Sequence, residues 1–362
     1  MDIDVANRLP VKAVPRQDSY TFVRSEGGLA TGLDSLQISM EKHWIGWPGV
    51  CVDNARQQIE IRQHLETMDF HPIFLSEEQY HDYYEGYSNS TIWPLCHYFF
   101  SHTTVRKEYW ESYQKVNALF CEEICKQVGS GDWVWIQDYQ LMLLPGMLRK
   151  RMPNLHINAV ERVLHIKFDL DEAQTDSRIV RVNALPMGIN YELYNHSSAT
   201  PKVWSEIEKK RILFRNHKLL LSVDRLDYSK GILHRLQGFE TFLERHPEYQ
   251  GKVTLAMVIV PSRDHVESYA GLKTKIDETI GRINGRYSDI NWTPVCYFYH
   301  GFSFEELTAM YFVADVALVT PLRDGMNLVA KEYVATKVNN PGVLVLSEMA
   351  GAAVELADAI QI

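Results

Sequence analysis

The sequence has no apolar run long enough to cross a membrane and no excess of basic residues. Its longest apolar stretches, such as 253–260, are far shorter than the roughly 20 residues of a membrane helix, and no signal-peptide pattern opens the chain. The net charge of −9 argues against nucleic acid as the main partner, because phosphate backbones favour basic surfaces. These absences predict a cytoplasmic protein that binds small molecules, and neither membranes nor nucleic acid.

The sequence also lacks a cysteine framework. Its five cysteines are odd in number and have no disulfide spacing, which fits a reducing compartment. Cys121 and Cys125 lie one helical turn apart, but no other cysteine or histidine nearby completes a set of metal ligands. We therefore expect buried thiols at these positions and no bound metal.

The length of 362 residues, with 46% hydrophobic and 23% charged residues, allows two domains that each have a full core. Short apolar runs alternate with helical patterns, which is typical of a doubly wound α/β fold with a parallel sheet. The predicted strands are 43–47, 71–75, 133–138, 155–160, 219–223, 253–260, 294–299, 315–320 and 342–347. A long amphipathic helix is predicted over 108–128. The stretch 183–202 contains two prolines and a polar tail and predicts the junction, giving domains 1–198 and 199–362.

One turn between a strand and a helix carries two cations. Residues 222–236, SVDRLDYSKGILHRL, contain the end of a buried strand and the start of an amphipathic helix. Arg225 and Lys230 therefore lie near the carboxyl end of a parallel strand, where open α/β sheets bind ligands and a helix start favours anions. For this turn alone, two solvated surface charges are the simpler interpretation.

Other turns carry matching chemistry. Gly27 and Gly28 precede a predicted helix and would let the backbone approach a phosphate, although they lack the GxGxxG spacing of a dinucleotide site. Arg263 and Asp324 follow two later strands, and Glu332 lies on the helix after Asp324, where a capped helix with a buried glutamate is the simpler explanation. Cations and hydroxyl-binding carboxylates at three strand ends of one sheet nevertheless favour a diphosphate attached to a sugar.

Motifs spread over nearly the whole chain identify a family. They are NRLPV, GGLATGL, YYEGYSNSTIWPLCHY, QDYQLMLLPGMLR, DRLDYSKG, VPSRDHVESY, GRINGRYS, TPLRDGMNLVAKEYVA and PGVLVLSEMAGAA. Together they closely resemble the trehalose-6-phosphate synthase family of retaining glycosyltransferases. The resemblance implies two Rossmann-like domains facing a central cleft (GT-B architecture), with the acceptor on 1–198 and the donor on 199–362. It also implies transfer of glucose from UDP-glucose to glucose 6-phosphate, giving α,α-trehalose 6-phosphate and UDP, with no required metal or other cofactor.

The resemblance further implies roles for individual residues. Arg225 and Lys230 correspond to the clamp on the donor diphosphate and, with Asp138, are the expected catalytic residues. The remaining donor contacts are two glycines, a phenylalanine near the uracil and the segment after Asp324, namely Gly27, Gly28, Phe302, Asp324, Gly325, Met326, Asn327, Leu328, Val329, Ala330, Lys331 and Glu332. The acceptor contacts are Arg8, Tyr84, Trp93, Asp138 and Arg263. Arg8 and Arg263 suit the 6-phosphate, because guanidinium groups pair with phosphate oxygens.

The sequence departs from the family pattern in the first domain. After 151–157 the family continues through a loop of the His-x-Pro-Phe-Pro type and further strand-helix units, so several dozen residues are missing between Ile157 and Asn158. The missing loop carries a histidine that the family places beside the reacting sugars. Either the segment is deleted, or the protein contains residues here that this sequence omits. The core that a deletion would remove favours the second explanation, which predicts Cα atoms of Ile157 and Asn158 much farther apart than the roughly 3.8 Å of one trans peptide.

Two alternatives to the main interpretation stay open. The same donor site could serve another phosphorylated acceptor, such as glycerol 3-phosphate or a cyclitol phosphate. The protein could also bind a nucleotide sugar without catalysis or act as a regulatory subunit, for which the missing segment is the main support. Assembly into a homo-oligomer is likewise open.

Overall fold

The computed structural model describes residues 2–17, 19–24, 42–129, 131–153, 155–159, 168–169, 172–175, 178–181, 187–262, 267–337 and 340–362. The chain divides into two compact units, Met1–Asn183 and Ala184–Ile362. The division falls at the start of the predicted junction stretch, so residues 184–198, assigned above to the first domain, lie in the second unit. They do so because Tyr194 packs edge-on against Phe304, with ring centroids 5.4 Å apart.

The first unit is built around a parallel sheet. Its strands are β1 (Asp2–Arg8), β2 (Val11–Pro15), β3 (Tyr20–Arg24), β4 (Lys42–Trp47), β5 (Phe70–Pro72), β6 (Trp133–Ile136), β7 (His156–Ala159), β8 (Phe168–Asp169), β9 (Glu172–Thr175) and β10 (Arg178–Arg181). Strands β5, β4, β1, β6 and β7 lie side by side in this order and are all parallel. Strands β2 and β3 form an antiparallel pair, and β8, β9 and β10 form a separate antiparallel sheet.

The helices of the first unit connect these strands and cover the sheet. They are α1 (Ala55–Glu66), α2 (Glu77–Gln79), a π-helix (Tyr80–Ile92), α3 (Trp93–Cys96), α4 (Lys107–Gln127) and α5 (Leu144–Arg151). The predicted long helix is α4, which buries Val116, Phe120 and Ile124 at steps of four in the same core as the sheet. Each such side chain contributes about 1.5–3 kcal/mol by leaving water, so α4 is held by its apolar face.

The prediction of a wide separation after Ile157 is wrong for this structure. Strand β7 runs through Ile157 and Asn158, which pair with the consecutive residues Val134 and Trp135 of β6. The continuous register requires ordinary backbone spacing. The described residues of the segment after β7 form the short antiparallel strands β8 to β10.

The second unit has the more regular sheet. Its strands are β11 (Lys218–Arg225), β12 (Val253–Val260), β13 (Val295–Phe298), β14 (Val316–Val319), β15 (Val343–Leu346) and β16 (Ile360–Gln361). They lie in the order β13, β12, β11, β14, β15, β16 and are all parallel. The five predicted strands are confirmed, and the strand order reverses direction between β11 and β14, the place where such sheets bind ligands.

The helices of the second unit complete its two faces. They are α6 (Tyr191–Asn195), α7 (Pro201–Phe214), α8 (Ile232–Arg245), α9 (Glu267–Tyr287), α10 (Phe304–Val313) and α11 (Leu328–Thr336). The apolar face predicted for α8 is buried at Ile232, Leu236, Phe239 and Leu243, as a helix docked on a sheet requires. In neither unit does a described helix combine the length and the apolar character needed to cross a membrane.

Candidate active site

The carboxyl end of β11 carries a short turn that is held from within. Asp227 caps the 3₁₀ turn Tyr228–Lys230 by accepting a hydrogen bond from the Ser229 amide at 2.9 Å, and the Tyr269 hydroxyl donates to its other oxygen at 2.9 Å. Gly231 follows with φ of +67°, and a Cβ atom there would lie 2.5 Å from the Thr320 carbonyl oxygen. Only glycine fits this conformation and this contact, so the turn fixes where α8 begins.

This turn brings Lys230 to Asp324. The Lys230 ammonium lies 2.5 Å from an Asp324 carboxylate oxygen, although the two residues are 94 positions apart in the sequence. The Asn327 amide donates to the same oxygen at 2.9 Å. Burial by itself raises the pKa of Asp324, but the ammonium and the hydrogen bonds outweigh it and lower the pKa below its usual value. The Asp324 carboxylate is therefore charged at neutral pH.

Arg225 differs from Lys230 in its surroundings. It ends β11 with an exposed side chain, and no hydrogen bond or ion pair joins its guanidinium to any residue that the structure describes. An unpaired arginine beside a strand end can accept an anion without first breaking a contact. Sequence reasoning placed both cations at this edge of the sheet, and the structure agrees on their position.

The segment after Asp324 is exposed at its first two residues and buried at Asn327. Gly325 and Met326 are exposed, and Asn327, with φ of +44°, caps α11 by accepting a hydrogen bond from the Ala330 amide at 3.1 Å. Leu328 and Val329 are half-buried in the first turn of α11, whose free amides point at the same edge. This is the arrangement of an anion site at a helix start.

The last two residues of the predicted segment already have partners inside the unit. Lys331 donates to the Met187 carbonyl oxygen at 2.8 Å and pairs with Glu355 at 2.6 Å. Glu332 accepts a hydrogen bond from the Tyr311 hydroxyl at 2.7 Å, and burial raises its pKa. Glu332 thus combines the features of a buried helix residue with those expected of a diol ligand.

Phe302 lies in an aromatic cluster beyond the carboxyl end of β13, the edge strand of this sheet. Its ring is half-buried, 5.2 Å from each of the rings of Phe298 and His300, and the Lys210 ammonium lies 5.6 Å above it. A partly exposed aromatic face of this kind can stack on a planar base.

In the first unit, Arg8 ends the central strand β1 among aromatic rings. Its guanidinium carbon lies 5.0 Å from the Trp47 ring and 5.2 Å from the Tyr84 ring, and one nitrogen is 3.5 Å from the Tyr80 hydroxyl. Burial raises the pKa of Tyr80 to about 12, so its hydroxyl stays protonated. The rings hold the cation by cation–π attraction and leave its exposed end available to an anion.

Trp93 and Asp138 flank Tyr139 in the same unit. The rings of Trp93 and Tyr139 lie 5.3 Å apart, and Asp138 precedes Tyr139 just beyond the carboxyl end of β6. Asp138 is exposed and has φ of +71° and ψ of 169°, a conformation that costs a residue other than glycine about 1–3 kcal/mol. Strain of this kind is concentrated at functional sites, which supports the prediction made for Asp138.

Three predicted residues, Gly27, Gly28 and Arg263, lie outside the described residues. Two contributors were missed by sequence reasoning: Trp47, which ends β4 opposite Arg8, and Arg235 on α8. Parallel pairing of β1 with β4 could have suggested Trp47, since both strands end at the same edge. Arg235 gave no signal, because a lone arginine on an amphipathic helix is usually on the solvent face. Among the residues described, no group of three or more His, Cys, Asp or Glu side chains could hold a metal ion.

Two parallel sheets, each with charged and hydroxyl-bearing side chains at its carboxyl edge, define an α/β protein of the class that binds ligands at the carboxyl ends of its strands. The chain belongs to glycosyltransferase family 20, whose family model matches residues 1–168 and 156–362. This confirms the fold class and the family that the sequence motifs indicated.

Two curated relatives are similar to this chain over nearly its whole length. The chain is 38% identical to a bifunctional trehalose-6-phosphate synthase/phosphatase of Thermoproteus tenax, over 99% of this chain and 56% of that protein. It is 36% identical to an α,α-trehalose-phosphate synthase (UDP-forming) of Pichia angusta, over 99% of this chain and 87% of that protein. The chain thus spans little more than half the length of the first relative and most of the second.

Solved structures are similar to this chain over its whole length. A structure from E. coli bound with UDP-2-fluoro glucose is 28% identical with a TM-score of 0.85, covering 100% of this chain and 87% of that one. A trehalose-phosphate synthase of Burkholderia xenovorans in complex with glucose-6-phosphate is 27% identical with a TM-score of 0.84, covering 100% of this chain and 88% of that one.

The comparisons also support the missing segment. The alignment to the Thermoproteus tenax protein extends over 415 positions, whereas this whole chain has 362 residues. The two matches to the family model meet at residues 156–168, directly around the point where the sequence departs from the family pattern. Part of the first domain that the family possesses is therefore absent from this sequence.

Proposed function

We propose that the protein transfers glucose from UDP-glucose to glucose 6-phosphate, with retention, and releases UDP and α,α-trehalose 6-phosphate. Support comes from the family match over the whole chain, from the activity named for its relatives, and from the ligands of the two solved structures. The observation that carries the proposal is that Arg225 and Lys230 of one motif and Asp324 of another lie at the carboxyl ends of the neighbouring strands β11 and β14.

The donor would bind at this edge of the second unit. Arg225 and Lys230 would neutralise the diphosphate, the amides at the start of α11 would bind its oxygens, and Asp324 would accept hydrogen bonds from glucose hydroxyls. Phe302 would stack on the uracil and Glu332 would bind the ribose. In this arrangement the Lys230–Asp324 pair opens or is shared when the donor arrives.

The acceptor would bind to the first unit. Arg8 would pair with the 6-phosphate, Tyr84 would donate a hydroxyl hydrogen bond, Trp93 would form an apolar wall, and Asp138 would accept hydrogen bonds from sugar hydroxyls. Since guanidinium groups bind phosphate oxygens in a fork, this set would select a phosphorylated sugar over the free one.

The reaction would need positioning and charge neutralisation more than a protein nucleophile. The acceptor hydroxyl would attack the anomeric carbon from the face that the diphosphate leaves, the bond from that carbon to the phosphate oxygen would break, and the departing phosphate would take the hydroxyl proton. Arg225 and Lys230 would stabilise the charge that grows on the leaving group. No metal is required in this proposal, and the cytoplasm is the proposed compartment.

The direct test is UDP release from UDP-glucose, measured with and without glucose 6-phosphate. We expect release that depends on glucose 6-phosphate and a non-reducing disaccharide phosphate as product. Faster turnover with glycerol 3-phosphate or a cyclitol phosphate would replace the acceptor in this proposal. Binding of UDP-glucose without any turnover would contradict it and favour a binding protein, for which the missing segment would be the reason.

A further inference from the structure

Arg235 lies beneath the candidate donor site, and none of the residue roles considered above includes it. Its guanidinium is almost completely buried, with 2% of the side chain exposed, and it faces Asp224, with 4% exposed. A buried arginine is costly unless every part of its charge has a partner. The partners of Arg235 therefore show what the fold uses it for.

Those partners come from three different segments of the chain. One terminal nitrogen donates to Asp224 at 2.6 Å and to Ser222 at 2.5 Å, both on β11. The Nε atom donates to the Thr320 hydroxyl at 3.0 Å, directly after β14. The other terminal nitrogen donates to the backbone carbonyl oxygen of Lys230 at 3.1 Å.

The contacts to the Thr320 hydroxyl and the Lys230 carbonyl lie on the two segments that carry the Lys230–Asp324 pair. Thr320 begins the segment that leads to Asp324, and the Lys230 carbonyl belongs to the turn that presents the ammonium. A backbone hydrogen bond joins the same two segments on the other side, from the Leu322 amide to the Ser229 carbonyl oxygen at 2.7 Å. The guanidinium therefore joins the Lys230 backbone to the Thr320 side chain, next to a direct backbone link between the same two segments.

We propose that Arg235 is a positioning residue, which holds the turn of Lys230 against the segment of Asp324 so that the donor site is preformed. Its three donor directions are fixed by the planar guanidinium, and a lysine ammonium cannot reach all three segments at once. The consequence for donor binding rests on the proposed function, whereas the positioning itself does not.

The experiment compares wild type with Arg235→Lys, which keeps the positive charge beside the buried Asp224, and with Thr320→Val, which removes only the Nε contact. The matched control is Arg245→Lys, an exposed arginine on the same helix α8. Thermal unfolding verifies that each variant is folded. Should Arg235→Lys fail to fold, Thr320→Val carries the test with a smaller effect in the same direction.

The first readout is acylation of lysines by an amine-reactive reagent, followed by mass spectrometry. Lys230 and Lys331 form a matched pair in this unit, because both are bound to a carboxylate and their side chains are 12% and 11% exposed. In Arg235→Lys we expect labelling of Lys230 to rise about fivefold or more while Lys331 is unchanged, since only the turn of Lys230 is released. Unchanged labelling of Lys230, or an equal rise at both lysines, would overturn the proposal.

The second readout is steady-state kinetics. We expect kcat/KM for UDP-glucose to fall about tenfold to a hundredfold in Arg235→Lys, since small misplacements of catalytic groups cost this much, and the KM for glucose 6-phosphate to stay within twofold. Normal kinetics despite released Lys230 would remove the donor-site part of the proposal. If Arg235→Lys shows the labelling difference but wild type neither binds UDP nor turns over, the proposed function fails while the positioning role stands.

Discussion

The carboxyl edges of the two parallel sheets hold their charged side chains in different ways. In the second unit Lys230 and Asp324 are bound to each other over a buried arginine network, and Arg225 beside them has no partner among the described residues. In the first unit the exposed cation Arg8 is held by the faces of aromatic rings. A buried ionic network depends on every partner, because each unpaired charge is costly, whereas rings tolerate small shifts.

The backbone shows the same contrast. Each edge contains a residue with positive φ just after a strand or its turn. In the second unit Gly231 adopts it without steric penalty, and Asn327, of a residue type enriched at positive φ, adopts it before α11; in the first unit Asp138 adopts a φ and ψ combination almost restricted to glycine. The first edge therefore carries the more strained backbone, at a residue proposed to bind the acceptor.

The largest effect is expected at the unpaired cation of the second unit. Arg225→Ala should lower the rate of transfer about 10²–10³-fold, or about 3–4 kcal/mol, as for the loss of one electrostatic donor to the leaving group. The unfolding temperature should not change, because the side chain is exposed and has no partner among the described residues. Arg245→Ala, at an exposed position of α8, is the control. Near-normal UDP release by Arg225→Ala would remove Arg225 from the donor site.

The next effect concerns the rigidity of the second unit. Gly231→Ala should lower the free energy of unfolding by about 2 kcal/mol or more, because alanine must adopt a left-handed conformation and its Cβ would meet the Thr320 carbonyl oxygen. Gly238→Ala on the same helix, where a Cβ meets nothing within 4 Å, should instead stabilise by roughly 0.5–1 kcal/mol. Urea denaturation measures both. Equal effects of the two substitutions would show that the turn is not rigid.

Arg8 gives the corresponding test in the first unit. Arg8→Ala should raise the KM for glucose 6-phosphate about ten- to a hundredfold, since a hydrogen bond to a charged group contributes about 1.5–3 kcal/mol, and leave the KM for UDP-glucose nearly unchanged. Initial rates at varied concentrations of each substrate measure this, with the exposed Arg56→Ala as control. Equal weakening of both substrates would mean that the two edges do not divide donor from acceptor.

Asp138 tests whether the first unit stores strain for function. Asp138→Gly should relieve the positive φ and stabilise the protein by about 1 kcal/mol, while acceptor turnover falls. Asp69→Gly, at another positive-φ residue of this unit, should stabilise in the same way without affecting turnover. A loss of stability on Asp138→Gly would show that the aspartate side chain contributes more to the fold than its backbone strain costs.

The smallest effect is expected in the pH dependence of stability, and it comes from a histidine pair in the first unit. In the first unit the buried His71 contacts His43 with nitrogens 3.0 Å apart, and burial, reinforced by His43, lowers the pKa of His71. Because the pKa of His71 in the folded protein lies below its unfolded value, neutral His71 contributes to stability above about pH 6.5. This contribution is lost as the pH falls from there through the lowered pKa of His71. Urea midpoints between pH 7 and 5 should fall less steeply for His71→Gln than for wild type, and His246→Gln, an exposed histidine, should match wild type. Parallel slopes for all three would exclude this pair as a source of acid sensitivity.

The sequence by itself determined five of the six strands of the second sheet, the four outer strands of the first and the edge on which the site lies, but not β1, the central strand of the first sheet. Continuous apolar runs and helical periodicity suffice to define β11, β12 and α8. A strand buried on both faces has a continuous run of apolar residues, and a helix buried on one face has apolar residues at helical spacing. Connectivity then assigns Arg225 and Lys230 to the carboxyl edge of the sheet. The family motifs supplied roles for these residues and marked the missing segment after Ile157.

Only the tertiary structure decided which groups meet. The approach of Lys230 to Asp324, the three segments joined by Arg235 and the rings around Arg8 all depend on residues far apart in the chain. No local pattern encodes such contacts, because a charged residue on a helix or turn has the same sequence signature whether its partner is water or a carboxylate 94 residues away. Burial and strand order bring these residues together, and those are properties of the whole fold.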